Sequence, residues 1–247
     1  MNPPLSPNQD RAGGGLIKRL ALGDLHGRDS WKRYVDEEYT EFYILGDYFD
    51  SYDLSFSAQQ SNFKALCGAA RKNPRIKLCL GNHDYHYLKN IPPGEQYSGF
   101  QEKHHPAIQK ILEENIDLLK IVYLTRDNYL ISHAGITCTF MQRLKVAGVA
   151  KVEDINQAFL RDRRLFRFYG QDPFGNDVTQ GPLWVRPDAL VRDAVPGYIQ
   201  IVGHTEKKDI TRYAATNVPG EPRASPSGRT ESFIFIDTGD KETILRF

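Results

Sequence analysis

The sequence predicts an α/β fold with much parallel strand pairing, and three observations lead to that prediction. Short apolar runs that end near glycine recur along the chain, which is typical of buried strands. Helical patterns lie between the early runs, and this alternation favours a parallel sheet. Loops join the late runs, so part of the sheet is predicted to be mixed or antiparallel. With 247 residues, 40% of them hydrophobic, the chain can bury a sizeable core.

Each element is assigned from its own pattern of residues. Apolar runs rich in Ile, Leu, Val, Phe and Tyr predict strands within residues 16–24, 41–50, 76–84, 120–135, 197–205 and 232–239. Apolar residues at helical spacing predict helices at 57–73, 105–119 and 152–170.

Amino-acid composition identifies two segments that are predicted to lie outside the regular helices and strands. Residues 1–15 lack the apolar segment of a signal peptide and are predicted to be a disordered leader. Residues 217–231 are rich in Pro, Gly and Ser and are predicted to form a long exposed loop between two strands. Residues 16–247 are therefore assigned to a single domain.

The net charge limits the classes of binding partner, and the cysteines indicate the cellular compartment. The formal net charge is +1, so no excess of either sign favours nucleic acid or a membrane. No stretch approaches the ~18 apolar residues of a spanning helix. The three cysteines form no CxxC pair, and Cys67 and Cys79 lie in apolar surroundings. Buried free thiols in a reducing, cytoplasmic compartment are predicted.

Five predicted strands end in glycine-flanked polar residues that could bind a metal. Those ends carry Asp24 and His26, Asp47 and Asp50, Asn82 and His83, His133, and His204. A single Asp or His at a strand end is more often a cap or an ordinary loop residue. Because ligands bind beyond the carboxyl ends of strands in open α/β sheets, five such ends predict one shared crevice.

The chemistry of this set indicates a transition-metal centre. Imidazole and carboxylate together suit Mn, Fe and Zn, and the set is too rich in nitrogen for a dedicated Mg or Ca site. Two ions ~3.5–4 Å apart need a shared ligand, and such pairs serve phosphoester displacement. Asp47, with metal-binding groups on either side of it, is the candidate for that bridge.

The strand ends resemble the signature motifs of the calcineurin-like metallophosphoesterase superfamily. They read GDLHG at 23–27, GDYFD at 46–50, GNHD at 81–84, SHAG at 132–135 and GHT at 203–205. The resemblance covers about residues 16–240. It implies a four-layer αββα sandwich, in which two mixed β-sheets are flanked by helices, and an enzyme that uses two divalent ions. Mn²⁺ is the expected metal, with Fe or Zn as alternatives.

The resemblance also implies a role for each motif residue. The expected ligands are Asp24 and His26 for the first metal, Asp47 for both, and Asn82, His133 and His204 for the second. A hydroxide bridging the metals would attack phosphorus in line, cleaving a phosphomonoester or a phosphoanhydride.

The remaining roles concern the leaving group and the phosphate. His83 is expected to be the general acid, oriented by Asp50. Arg186, in the stretch GPLWVRP, is expected to hold a phosphate oxygen, with stacking on Trp184 or a surface ion pair as the alternative. Asn82 and Arg28 are further phosphate-contact candidates, although a solvated side chain near a helix start is the favoured interpretation of Arg28. The histidine at 86 has no implied role; it is interpreted as a residue that supports the site or lies at the surface.

The motif details resemble the branch of phosphoprotein phosphatases and diadenosine-tetraphosphate hydrolases. Glu206 occupies the position where nuclease-like members carry a second histidine. One departure is that Ser51 follows Asp50, where this branch often has a phosphate-binding Arg. The substrate is therefore left open between a phosphorylated small molecule or nucleotide, a phosphoprotein, and a nucleic-acid end. Residues 137–180 are expected to form a cap that shapes this choice, and a non-catalytic metal-binding scaffold is the alternative of another class.

Overall fold

The computed structural model describes residues 17–213, 233–241 and 243–247. The predicted leader (1–15) and the predicted late loop (217–231) lie outside the described residues. In the described part of the chain, no helix combines the length and the apolar character needed to cross a membrane. Cys67 and Cys79 are buried, and all three cysteines are free thiols, as predicted.

Strands and helices alternate in the first half of the chain, as predicted. The strands of the described residues are β1 (Arg19–Leu22), β2 (Glu41–Ile44), β3 (Ile76–Cys79), β4 (Leu119–Lys120), β5 (Val122–Leu124), β6 (Tyr129–Ser132), β7 (Ile199–Val202), β8 (Thr211–Tyr213), β9 (Phe233–Phe235) and β10 (Leu245–Arg246). The α-helices are α1 (Phe56–Lys72), α2 (Asn82–Tyr85), α3 (His105–Glu113), α4 (Cys138–Val146), α5 (Ile155–Arg161) and α6 (Pro187–Arg192).

These strands form two mixed sheets of five strands each. The first has the order β10-β1-β2-β3-β4, with β1 to β4 parallel and β10 antiparallel to β1. The second has the order β5-β6-β7-β9-β8, in which β6, β7 and β9 are parallel. Its edge strands β5 and β8 are antiparallel to their neighbours. The predicted mixture of parallel and antiparallel pairing is confirmed.

Successive residues of the central strands face different cores. Leu20 of β1 packs into the core that includes α1, whereas Ala21 packs between the two sheets. On the outer face of the second sheet, Phe235 of β9 packs with Leu190 of α6. Because these strands are covered on both faces, they read as continuous apolar runs in the sequence. The layers α1, first sheet, second sheet and α6 form the predicted αββα sandwich.

The boundaries of several predicted elements differ from the structure. The predicted helix 57–73 is confirmed as α1, where the Ser55 side chain accepts a hydrogen bond from Ala58 N. The helix predicted at 105–119 ends at Glu113. A single helix over 152–170 is wrong, because Asp162 adopts an extended backbone and its side chain caps Arg164 N, which ends α5. The apolar run 120–135 is split into the hairpin strands β5 and β6.

Residues 137–180 contribute to the main core of the molecule. Phe140, Leu144 and Phe159 are buried in the same hydrophobic cluster as Phe63 of α1. A role for this region as a cap stays a prediction.

Candidate functional site

The strand ends of both sheets meet at one place, as the sequence predicts. Asn82 begins the short helix after β3, His133 follows β6 and His204 follows β7. His133 Nε2 lies 2.7 Å from Asn82 Oδ1 and 3.1 Å from His204 Nδ1. His204 Nδ1 lies 2.9 Å from Asn82 Oδ1. These three side chains are separated by 51 to 122 residues in the sequence, and each directs one atom toward a common point.

The backbone fixes which nitrogen of each imidazole faces that point. His133 Nδ1 lies 2.8 Å from the carbonyl oxygen of Leu45, and His204 Nε2 lies 3.1 Å from the carbonyl oxygen of Trp184. A carbonyl oxygen can only accept a hydrogen bond, so each of those nitrogens carries the proton. The other nitrogen of each neutral ring then presents a lone pair to the Asn82 oxygen. A cation is the partner that this set of lone pairs fits.

His26 is oriented in the same manner. Its Nδ1 lies 3.0 Å from the carbonyl oxygen of Phe49, which leaves Nε2 as the lone-pair nitrogen of the neutral ring. That nitrogen lies 3.8 Å from Asp47 Oδ2. All three histidines that the sequence assigns to metal binding therefore have a backbone carbonyl behind the ring and a lone pair directed toward the site.

Asp47 lies between the two halves of the site. Its Oδ2 atom is 3.6 Å from His133 Nε2 on one side and 3.8 Å from His26 Nε2 on the other. Its Oδ1 atom accepts a hydrogen bond from His83 N at 3.0 Å. The side chain is only 2% exposed. Asp47 is therefore in contact with one histidine from each of the two predicted ligand groups.

Asp24 completes the acidic part of the site. Both of its carboxylate oxygens accept from His204 N at 3.1 Å, which connects the end of β1 to the end of β7. Asp24, Asp47 and His133 each offer one ligand atom, and these atoms lie within 4.8 Å of one another. The first sheet and the second sheet thus both contribute to one cluster.

Burial and mutual charge shift the pKa values in this cluster. Burial lowers the pKa of His133 and of His204, which favours the neutral, metal-binding form of both rings. Burial, together with the nearby carboxylates of Asp237 and Asp47, raises the pKa of Asp24 well above its ordinary value. Burial also opposes the charge on Asp47, but the attraction of the surrounding imidazoles outweighs the effect of burial, so the pKa of Asp47 is lowered. Crowded, buried carboxylates of this kind are stabilised by a divalent cation.

The backbone is strained where the site residues lie. Four of the six non-glycine residues with positive φ in the described chain are His26 (44°), Asp47 (53°), Asp50 (63°) and His204 (63°). Each such residue costs about 1–3 kcal/mol and persists only where the surroundings enforce it. One enforcing contact is the hydrogen bond from His26 N to Asp47 O at 2.6 Å.

Two motif glycines are required because the ligands approach the backbone closely. A Cβ atom on Gly81 would lie 2.0 Å from Asp47 Oδ1 and 2.4 Å from Asp47 N. A Cβ atom on Gly203 would lie 2.3 Å from Asp24 Oδ1. The glycines that precede Asn82 and His204 therefore leave room for carboxylates that come from other strands.

His83 and Asp50 form a pair beside the metal-ligand cluster. His83 Nδ1 lies 3.0 Å from Asp50 Oδ2, and the rings of His83 and His26 are 5.1 Å apart. Burial opposes the charged form of His83, but the carboxylates of Asp47 and Asp50 outweigh burial and raise the pKa of the ring. A protonated imidazole next to the site is suited to donate a proton to a leaving oxygen.

Several residues outside the predicted set support this pair and the turn before it. Asp84 is fully buried, and its carboxylate accepts from the backbone N–H groups of Asp47, Tyr48 and Gly81. The Asp50 carboxylate also accepts from Tyr87 Oη at 2.5 Å and Gln101 Nε2 at 3.2 Å. Asp84 is the last residue of the motif GNHD, so the sequence marks it, whereas no local pattern marks Gln101.

The two candidate phosphate-binding arginines differ in placement. Arg186 donates from Nη1 to His204 O at 3.0 Å and to Thr205 Oγ1 at 3.1 Å, and from Nε to Phe174 O at 2.9 Å. Its Nη2 has no hydrogen-bond partner among the described residues. Arg28 is partly exposed and lines a shallow concavity next to Trp31. Arg186 is therefore attached directly to a strand end of the site.

Comparisons with known proteins agree with this architecture. The family model described as calcineurin-like phosphoesterase matches residues 17–213. A cold-active protein-tyrosine phosphatase of a psychrophile, Shewanella sp., is similar in structure, with a TM-score of 0.60, 16% identity, and coverage of 94% of this chain and 75% of that chain. A cold-active protein tyrosine phosphatase solved at 1.1 Å has a TM-score of 0.55, 17% identity, and coverage of 94% and 74%. No curated protein matches the sequence.

Proposed function

The chain belongs to the calcineurin-like phosphoesterase family, and we propose that it is a dinuclear-metal phosphohydrolase of phosphomonoesters or phosphoanhydrides. Membership of this family makes the chain a metal-dependent phosphatase. The observation that carries the finer proposal is the position of Asp47. Its Oδ2 atom is close to a histidine of each proposed ligand group, at 3.8 Å from His26 Nε2 and 3.6 Å from His133 Nε2. One carboxylate between two groups of nitrogen and oxygen ligands fits a pair of ions better than a single ion.

The proposed ligands divide into two groups that share Asp47. Asp24 and His26 would hold the first ion, and Asn82, His133 and His204 would hold the second. This mixture of imidazole, carboxylate and amide oxygen supports Mn²⁺, with Fe or Zn as alternatives. When bound, two such ions supply an activated water at neutral pH and neutralise charge on the phosphate. The three free cysteines support a reducing compartment, which we propose is the cytoplasm.

His83 is the proposed general acid. Its Nδ1 is held by Asp50 Oδ2 at 3.0 Å, so Nε2 is free to donate a proton to the leaving oxygen. Asp50 is 1% exposed and its pKa is lowered, because the hydrogen bond from His83 and the close contact with His86 outweigh its burial. The carboxylate thus stays ionised, keeps the imidazole oriented and favours its protonated form.

Arg186 is the proposed phosphate clamp, and residues 137–180 are proposed to shape the space next to it. Two of its nitrogens are fixed by His204 O and Phe174 O, which leaves Nη2 for a phosphate oxygen. Phe174 belongs to the 137–180 region and its side chain is 77% exposed. The backbone of Phe174 thus contacts the clamp, and its exposed side chain is proposed to contact the organic part of a substrate.

The substrate class is proposed to be a small phosphorylated molecule or a nucleotide. Ser51, Tyr52 and Asp53 follow Asp50, so the positive charge expected directly after Asp50 in phosphoprotein phosphatases is missing and a carboxylate lies close by in the sequence. The structurally similar protein-tyrosine phosphatases make a phosphoprotein the second candidate. Phosphorylated nucleic-acid ends are the third.

A substrate panel tests the proposed function. The metal-stripped protein is assayed before and after addition of Mn²⁺ on p-nitrophenyl phosphate, diadenosine tetraphosphate, a phosphopeptide and an end-phosphorylated oligonucleotide. We expect hydrolysis only with metal, and its loss in Asp47→Asn with the fold retained. Metal binding without hydrolysis of any substrate would instead identify a non-catalytic scaffold. Equal rates in the wild type and in Asp47→Asn would contradict the dinuclear proposal.

A further inference from the structure

A second cluster of metal-ligand side chains lies beside the proposed catalytic centre. Asp50, His83 and His86 each offer one ligand atom, and these atoms lie within 4.8 Å of one another. The shared atom is Asp50 Oδ2, which is 3.0 Å from His83 Nδ1 and 2.7 Å from His86 Nε2. The proposed dinuclear centre uses none of these three residues as a ligand.

The imidazole of His86 is buried, and the hydrogen-bonding capacity of its nitrogens is not satisfied. Its side chain is 0% exposed, and neither ring nitrogen makes a hydrogen bond within the described part of the chain. Nε2 lies 2.7 Å from Asp50 Oδ2, but this contact does not have the geometry of a hydrogen bond. An unsatisfied buried polar group costs about 1–3 kcal/mol, and such groups are rare in native structures. The ring of His86 is therefore available for a ligand.

The carboxylate is held in the orientation that a ligand to a metal requires. Tyr87 Oη and Gln101 Nε2 both donate to Oδ1 of Asp50, at 2.5 and 3.2 Å. Oδ2 is left facing the two imidazoles. Donors on one oxygen that orient the other are the usual support of a metal-binding carboxylate. The aromatic ring of Phe100 lies 5.0 Å from that of His86 and lowers the local polarity.

The spacing of the cluster matches that of the proposed catalytic ligands. Ligand atoms around a tetrahedral Zn²⁺ with ~2.0–2.1 Å bonds lie about 3.3 Å apart. The contacts of Asp50 with His83 and His86, at 3.0 and 2.7 Å, fall in the same range as the 2.7–3.1 Å contacts among the second-metal ligands. In both clusters the ligand atoms need to move apart by a few tenths of an ångström to accept an ion. His83 is 18% exposed and gives access from the catalytic cleft.

We propose that Asp50, His83 and His86 form a third transition-metal site, selective for Zn²⁺ over Mn²⁺, whose occupation inhibits the enzyme. Two imidazoles and one carboxylate bind Zn²⁺ more tightly than Mn²⁺. An imidazolium that donates a proton carries protons on both nitrogens, and an ion on Nδ1 of His83 takes the place of one of them. The leaving group then meets a metal-bound neutral ring, which is a weaker acid. The inhibitory part of this inference rests on the proposed function; the binding part does not.

Zinc titration of the Mn-loaded protein tests the proposal. Wild-type protein is expected to bind one zinc more than His86→Phe, measured as metal per chain after gel filtration. Phenylalanine suits the aromatic surroundings and removes the ligand. Tyr87→Phe removes a donor to the same carboxylate but no ligand, so it should still bind the extra ion, with a lower affinity than the wild type. Equal zinc content in the wild type and His86→Phe would overturn the site, whatever the activity.

The position of the bound zinc and its effect on turnover complete the test. Anomalous diffraction above and below the zinc edge, on Mn-loaded wild-type crystals soaked in Zn²⁺, should give a peak next to Asp50 Oδ2. Excess Zn²⁺ should lower turnover of β-glycerophosphate at least tenfold, and turnover of p-nitrophenyl phosphate less, because the better leaving group needs less help from an acid. Zinc found only at the Asp47 centre, or equal inhibition of both substrates, would overturn the inference. An inactive wild type that still binds the ion next to Asp50 would count against the proposed function instead.

Discussion

The substitution Gly81→Ala tests the site with a single added methyl group. The backbone of Gly81 is extended (φ −98°, ψ 173°), so alanine can adopt it and only space is at issue. The new Cβ would lie 2.0 Å from Asp47 Oδ1 and 2.4 Å from Asp47 N. Because a Cβ contact needs more than 3 Å, Asp47 or the turn before Asn82 must move by about 1 Å.

That displacement exceeds what a metal site tolerates. Ligand distances in metal sites hold within about ±0.2 Å, so a 1 Å shift of the shared carboxylate affects both ions. We expect metal affinity to fall by at least tenfold and kcat by about a hundredfold. The overpacking should destabilise the fold by about 1–3 kcal/mol.

The assay combines metal content per chain, kcat on p-nitrophenyl phosphate and the melting temperature. Gly68→Ala is the matched control, because a Cβ atom on this exposed residue of α1 meets nothing within 4 Å. It should keep full activity and stabilise the helix by roughly 0.5–1 kcal/mol. Wild-type metal content and rate in Gly81→Ala would refute the close approach of Asp47 and with it the proposed shared ligand.

Three further predictions concern the acid, the clamp and a remote ion pair. His83→Asn should keep its metal ions but slow turnover of poor leaving groups by about 10²–10⁴-fold. Arg186→Lys should raise KM for phosphate esters, because the second nitrogen of the fork is lost. Glu113→Gln should destabilise the fold by about 1–2 kcal/mol at neutral pH, because Arg163 then loses its charged partner. Hydrogen bonds from Arg163 outweigh burial and lower the pKa of Glu113, so this difference should shrink as the pH falls below about 4.

Each of these predictions has a distinct contrary outcome. Loss of metal in His83→Asn would make His83 a ligand and not an acid. An unchanged KM in Arg186→Lys would remove the clamp, with the intact fold checked by its melting temperature. A stability difference in Glu113→Gln that grows toward acidic pH would have the wrong sign for a carboxylate whose pKa is lowered in the folded state.

The local parts of the fold could be predicted from sequence because their signals are local. The capped helix α1 and the central strands follow from periodicity and from glycine at the strand ends. The sequence does not reveal that the helix ends before Asp162. The Asp162 side chain can accept from Arg164 N, and so compete with the helix, only when the backbone of Asp162 is extended. The sequence predicts one apolar run where the structure has the hairpin of β5 and β6, because both strands are apolar.

The candidate site was predictable as a set of residues, but not as a geometry. The motifs identified the side chains at the strand ends, and the structure brings Asn82, His133 and His204 to within about 3 Å of one another. The contacts that orient them come from distant backbone atoms, such as the carbonyl of Leu45 behind His133. No sequence pattern marks those carbonyls. Gln101, 51 residues from Asp50, was missed for the same reason.

The most direct test of the central claim is the location of the bound metal. Crystals of the Mn-loaded protein should give two anomalous peaks ~3.5–4 Å apart, one on each side of Asp47 Oδ2. The first should contact Asp24 and His26, and the second Asn82, His133 and His204. A single peak, or two peaks of which only one contacts Asp47, would contradict a dinuclear centre built on a shared carboxylate.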